Sequence, residues 1–494
     1  MTSIEPEEED STEAWKGKKA KELDSGRGTN DIKLYPARFI VLSCVAALSF
    51  SSSMMWITYT SMTSACAKFY CNQTSESYEC RPAFWTNQIF QITAVIFGIF
   101  GMYVTDKYGI KASARSSAAL NLSGALFRLI SSLPTLDLTL RLAFLYFDLL
   151  SGSFLVAFSQ IFTLILPPKV AEFWFPENHR TIANSLAFLC NPVGVSLGTL
   201  LSVLIFDQDS ITVESYEFLY LSCAFVIVPA IAFVLSMMIK TSYPPTPPSI
   251  SADRKHEVPP FFTGLFALFK MKQFYVVIVV FSLAFSVFYC LVVASDQLFT
   301  DLKYPPLFVG YAVSIQALLG SLACIVAGWW ADRTKKFVEV ARFCVTALCI
   351  TALLFCIHIR HAYSGMIDCL IAGTLISLMS CFSTPMFPAG YELGIEATFP
   401  IAEATSSGVL YIFANLFLMI LNECMVTLRT KLSWNGSGFY YGLHFDWPRT
   451  TGSTYFAMDM WLLLSIFCCV LSFVCLRPRY KRLEYEKTHS LKEA

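Results

Sequence analysis

Gly101-Met-Tyr-Val-Thr-Asp106-Lys107-Tyr-Gly109-Ile-Lys111 and Gly328-Trp-Trp-Ala-Asp332-Arg333-Thr-Lys335-Lys336 follow one pattern, a glycine and then an acid with bases close behind it. The first copy places its glycine one residue earlier relative to the acid, and the second lacks the later glycine. Each copy closes an apolar run of about 20 residues, the length that spans a bilayer as a helix. Glycine lets neighbouring helices approach closely, and the charges suit a short turn in water. Basic turns are common on one side of any membrane protein, but that bias alone does not place the same motif twice at matching positions.

Working outward from these turns, apolar runs recur at 39–63, 85–105, 113–133, 142–166, 182–206 and 216–239, then at 273–299, 307–330, 338–359, 365–388, 405–427 and 456–476. Continuous runs without period-two alternation exclude a β-barrel, so each is expected to be a helix that satisfies its own backbone. The 494 residues are 55% hydrophobic and only 15% charged, against roughly 45–50% and about 25% in a soluble domain. A water-soluble fold is thereby excluded. Lys+Arg and Asp+Glu balance at 36 each, which gives no field for nucleic acid. The 17 cysteines scatter through apolar runs without zinc spacing, so no metal site is expected. There is no phosphate-binding loop to drive an ATP pump, and no hydrolytic constellation; the chain reads as no enzyme and as needing no cofactor.

The expected organisation is an acidic-then-basic disordered tail over 1–38, a six-helix bundle over 39–240, and a linker over 241–272. A second six-helix bundle over 273–476 and a tail over 477–494 complete it. The linker contains Tyr243-Pro-Pro-Thr-Pro-Pro-Ser249, which favours extended polyproline structure. Placing both tails and the even-numbered loops in the cytosol puts most Lys and Arg there, as the positive-inside rule requires. That orientation also places the sequons at Asn72 and Asn435 outside, as glycosylation sites, with Cys66, Cys71 and Cys80 free to form one disulfide in the first outer loop.

The paired turns resemble the loop signature of the major facilitator superfamily. The resemblance implies an all-α membrane protein of 12 transmembrane helices in two six-helix, pseudo-symmetric bundles. It also implies a conformational latch at Asp106, Lys107, Asp332 and Arg333, with solute at the bilayer midplane and alternating access.

Further stretches resemble the feline leukaemia virus subgroup C receptor-related family, solute carrier family 49, and are most similar to its third member. They are Met54-Met55-Trp56-Ile57-Thr58-Tyr59; Lys169 to Asn184 with Trp174-Phe175-Pro176-Glu177; Asn191-Pro192-Val-Gly194; Tyr289 with Asp296; and Gly390 to Gly408. Studied members move choline and ethanolamine, with haem export also proposed. The residues matching their central site are Trp56, Gln160, Tyr289 and Asn415, the last shorter than the family's glutamine by one methylene. Two departures from the choline-moving pattern are Met55, where the family has glutamine, and Asp296, where it has asparagine.

Physical chemistry points the same way. A quaternary ammonium offers no hydrogen-bond donor, so aromatic faces such as those of Trp56 and Tyr289 must recognise it. Intramembrane acids are costly, which marks Asp148 and Asp296 as candidates for coupling or gating, with Arg128 or Arg141 as partners for Asp148. Glu392, Glu396 and Glu403 are expected to pair with bases such as Arg180. None of the histidines (179, 256, 358, 361, 444, 489) falls mid-span, which ranks haem below choline. The expected protein is a monomer in the lipid bilayer, most simply the plasma membrane, whose partner is a small solute of the choline or haem type. A non-transporting receptor or scaffold built on the proline linker and Tyr480-Lys-Arg-Leu483 is the remaining alternative.

Overall fold

The computed structural model describes residues 34–71, 80–133, 144–205, 216–246, 248, 259–301, 304–361, 365–432, 452–485 and 488. Asn72, Asn435, Arg141 and most of the expected N-terminal tail lie outside the described residues. The elements are helical: α1 (Ala37–Ile57), α2 (Thr63–Cys71), α3 (Pro82–Ser131), α4 (Tyr146–Trp174), α5 (Arg180–Ile205), α6 (Glu217–Ser236) and α7 (Phe261–Leu268). They continue as α8 (Lys272–Asp301), α9 (Pro306–Thr334), α10 (Phe337–His361), α11 (Met366–Ser383), α12 (Met386–Thr398), α13 (Glu403–Leu432) and α14 (Gly452–Val474).

Eleven stretches are long and apolar enough to cross a membrane. One of them, α3, has 50 residues, about 75 Å of helix against a hydrocarbon core of about 30 Å. It turns back on itself at Gly109, whose φ of 80° and ψ of −175° lie outside any helix. Its two limbs are therefore two crossings, which makes twelve among the described residues. Large apolar side chains stay exposed at helical spacing on the outside, such as Ile96, Ile99 and Phe100 on α3 and Ile350, Leu353, Leu354 and Ile357 on α10. In water such stripes would be a liability; against lipid they are the solvent-facing surface.

Several boundaries move from the expected ones. The fourth crossing was expected to stop near 166, yet α4 runs through Pro167 and Pro168 to Trp174. A proline costs one backbone bond but need not end a helix packed among neighbours. The tenth run becomes α11 and α12, broken at Thr384-Pro385. The linker is not extended throughout, since α7 forms within it.

The described part of the expected tail, residues 477–485, is tied to the helices. Arg342 holds it through the carbonyls of Ser472 and Leu476, and Tyr480 Oη accepts a bond from the Val338 N–H at 3.0 Å. Both described chain ends lie at one face of the bundle, where Tyr35 meets Thr246 and Arg482 is buried; we call this the terminus face. Cys71 is bonded to Cys80 at the opposite, disulfide face, and Cys66 is buried outside that disulfide.

The two repeated turns share a positive φ at the same place but differ in ψ, −175° at Gly109 and 24° at Lys335. Gly109 follows Asp106 by three residues, and Lys335 follows Asp332 by three; both have positive φ, 80° and 55°. Lysine thus occupies the place of the missing second glycine, in the left-handed conformation that glycine adopts more cheaply. A Cβ at Gly109 would lie 2.8 Å from Ser242 Oγ. Gly109→Val is therefore expected to destabilise the protein by about 1–3 kcal/mol, read as a lowered melting temperature in detergent. An unchanged melt would show that the turn is not fixed as described.

Candidate functional site

A cavity of about 550 Å³ opens between the first six and last six crossings. Trp56, Gln160, Tyr289 and Asn415, from four different helices, all line it. Regular helix in α1 ends one residue past Trp56. There the indole N–H donates to Asn87 Oδ1 on α3 at 2.9 Å, which fixes the ring's edge and leaves its face available. The ring centroid stands 5.8 Å from that of Tyr289 on α8. Tyr289 stacks on Phe285 at 4.5 Å and meets Phe387 edge-on at 5.8 Å. Phe387 and Thr384 reach the cavity from the break between α11 and α12.

Polar groups face this aromatic cluster. The Gln160 amide makes no hydrogen bond among the described residues, and Gln91 Oε1 is buried without a partner. Asn415 Nδ2 donates back to the Tyr411 carbonyl of its own helix at 2.8 Å. Among the described residues, no acidic or basic side chain lines the cavity. Such a site suits a ligand with an apolar-sheathed positive charge against the rings and a hydroxyl or amine for the amides. Gln91, Asn191, Phe285, Phe387 and Tyr411 are lining residues that reading the sequence did not assign. Gln91 carried one usable signal, a polar side chain inside a span.

Of the two intramembrane acids, Asp148 is not among the residues that line the cavity. Asp148 is in the first turn of α4, half-buried, rather than near mid-span. It does not pair with Arg128, whose guanidinium instead bonds the Met55 carbonyl and Ser153 Oγ and lies over the Tyr59 ring at 5.2 Å. A buried carbonyl and an aromatic face thus take the place of a carboxylate. Asp296 lies in α8, and its side chain is outside the described residues.

At the terminus face the two acids of the repeated turns make the cross-bundle contacts. Asp106 accepts from Lys169 Nζ at 2.8 Å and from Thr405 Oγ1 on α13 at 2.5 Å. Asp332 accepts from the Thr181 and Ile182 N–H groups at 3.1 and 2.7 Å, capping the start of α5. Gly328 permits this approach, since a Cβ there would fall 2.2 Å from Ser185 Oγ. The expected basic partners turn outward: Lys107 bonds Tyr103 Oη, and Arg333 lies over the Trp329 ring. Lys335 serves in their place, donating to the Glu177 carbonyl at 3.1 Å. Glu392 and Glu396 pair with Arg482, and Arg180 stands 3.5 Å from Glu172.

The family model of the Major Facilitator Superfamily matches residues 41–421. Solute carrier family 49 member A3 of Xenopus tropicalis is 26% identical over 457 residues, covering 91% of this chain and 89% of the relative. Choline/ethanolamine transporter flvcr2b of Danio rerio is 24% identical over 411 residues, covering 80% and 79%. Among solved structures, the transporter FucP in its outward conformation superposes with a TM-score of 0.61 at 14% identity, over 88% of this chain and 98% of that one. The likeness to FucP is one of fold.

Loss of the Asp332 cap leaves two helix-end donors without their acceptor, a defect of about 1–2 kcal/mol. In Asp332→Ala the Thr181 and Ile182 amides are expected to exchange with deuterium about 5–30-fold faster, while α1 stays as protected as before. Equal exchange in both proteins would show that Asp332 does not hold the start of α5.

Proposed function

We propose that this chain, which belongs to the Major Facilitator Superfamily and moves a small solute across a membrane by a facilitative or secondary-active route, carries an organic cation of the choline type. The observation that carries the proposal is the cavity: Trp56 and Tyr289 with ring centroids 5.8 Å apart, beside the unengaged Gln160 amide, with no acid or base among the described lining residues. Trp56 and Tyr289 supply the ring faces for the ammonium; Gln160 and Asn415 orient the hydroxyl end. Relatives named as choline/ethanolamine transporters support the reading.

Alternating access then takes the form of two six-helix halves, 39–240 and 273–476, rocking about this cavity. The latch at the terminus face holds one state, through Asp106 and Asp332. The disulfide at the opposite face fits an oxidising compartment, so both termini belong in the cytosol and the plasma membrane is the simplest location.

A haem cargo is less well supported. Its propionates need cationic partners, and no Lys or Arg lines the cavity; no histidine does either. A scaffold role for Tyr480-Lys-Arg-Leu483 is disfavoured because Tyr480 is tied to Val338 and Arg482 is 3% exposed. An internal peptide of this kind is not displayed for capture.

Radiolabelled choline uptake, measured in cells with surface expression of each protein verified, tests the proposal. Wild type is expected to show saturable uptake, and Trp56→Ala to lower its efficiency roughly 30-fold, the equivalent of about 2 kcal/mol of cation–π attraction. Gln160→Leu is expected to weaken apparent affinity while leaving the rings intact. No uptake above background by well-expressed wild type would sink choline import by this chain.

A further inference from the structure

The last described segment of the chain enters a buried acidic site that spans both sets of helices. Glu172 reaches it from α4, and Glu392 and Glu396, one helical turn apart, from α12. These carboxylates are 2%, 1% and 3% exposed, and Arg482, which sits among them, is 3% exposed. Each guanidinium nitrogen serves a different acid. Arg482 Nε donates to Glu396 at 2.8 Å, Nη1 to Glu172 at 3.2 Å and Nη2 to Glu392 at 2.6 Å. The Leu483 N–H adds a bond to Glu396 Oε2 at 3.0 Å. Planar, forked donors make arginine suited to such a site, which a lysine ammonium would not fill in the same way.

Charge explains why this residue matters. Without Arg482, the buried Glu172, Glu392 and Glu396 lose the guanidinium that bonds all three, Glu403 adds a further acid beside Glu172, and Glu172 on one set of helices faces Glu392 and Glu396 on the other. The contact across the two sets changes from attractive to repulsive in a region of low dielectric. The tail is meanwhile anchored to the last six crossings, by Tyr480 on Val338 and by Arg342 on Leu476. Separating the sets at the terminus face therefore breaks the bond to Glu172 first.

We propose that residues 477–485 are an intramolecular ligand of this acidic site, and that Arg482 in place closes the terminus face while its withdrawal opens it. The proposal rests on the rocking of halves described above. Its test reads conformation rather than solute flux, so a wrong cargo and a wrong gate give different results.

Hydrogen–deuterium exchange on the full chain in lipid nanodiscs compares wild type with Arg482→Gln and Arg482→Lys. Arg482→Gln is expected to raise exchange about tenfold or more in peptides covering 177–184 and 392–407, with α1 unchanged. Adding Glu172→Gln to Arg482→Gln is expected to restore much of the protection, because the repulsion of Glu172 against the two α12 carboxylates is removed. If Arg482→Gln does not fold, Arg482→Lys carries the test, with an increase of several-fold expected in the same peptides. Unchanged exchange at these peptides in the folded variant, a uniform rise across the whole chain, or loosening that Glu172→Gln fails to reverse would each overturn the proposal.

Discussion

Within a lipid slab a polar group that finds no partner in the protein finds none at all, and the arrangement of this chain follows from that constraint. The backbone answers it by becoming helix. Many hydroxyls answer it locally, as Thr58 does on the Met54 carbonyl and Ser286 on that of Ser282. Others bond across helices, as Ser117 does with Ser159 and Thr163. Gln91, whose Oε1 has no partner, faces the central cavity, and the acids of the repeated turns and Arg482 with its three carboxylates lie at the terminus face. Both places lie where the first six crossings meet the last six.

The two contact regions differ in what holds them. At the cavity, rings from α1 and α8 meet across the seam, with aromatic contacts that tolerate sliding. At the terminus face, directional hydrogen bonds and ion pairs tolerate little displacement before they are lost. Such a seam lets the cavity adapt to a guest while one end remains shut. The interruption of α11 and α12 at Pro385 adds to this, because it brings Phe387 into the aromatic cluster from a helix end rather than from a rigid helix middle.

The twelve crossings were readable because hydropathy over a span-length window reports directly on the solvent outside. Their ends were less readable. Pro167-Pro168 reads as a stop by local propensity, but packing carries α4 past it; Thr384-Pro385 lies in a similarly apolar setting and does break the helix. The repeated turns revealed their acids and not their working bases, since Lys107 and Arg333 stand beside those acids in sequence while Lys169 and Lys335 meet their partners only through the fold. Arg482 is the extreme case: no periodicity or spacing marks a tail arginine that returns to meet an acid 310 positions earlier. The four cavity residues were reached through resemblance, whereas Gln91 and Phe387 needed the geometry.

Among the described residues no acid lines the cavity, which has an electrical consequence for the proposed cation. A cation held there by ring quadrupoles and amide dipoles stays a cation, so each one carried without a compensating ion moves net charge across the bilayer. One elementary charge crossing about 60 mV corresponds to about 1.4 kcal/mol, enough for roughly tenfold accumulation on the negative side. Membrane voltage would then set the direction and the ceiling of net movement, with no proton or sodium site needed for concentrative flux.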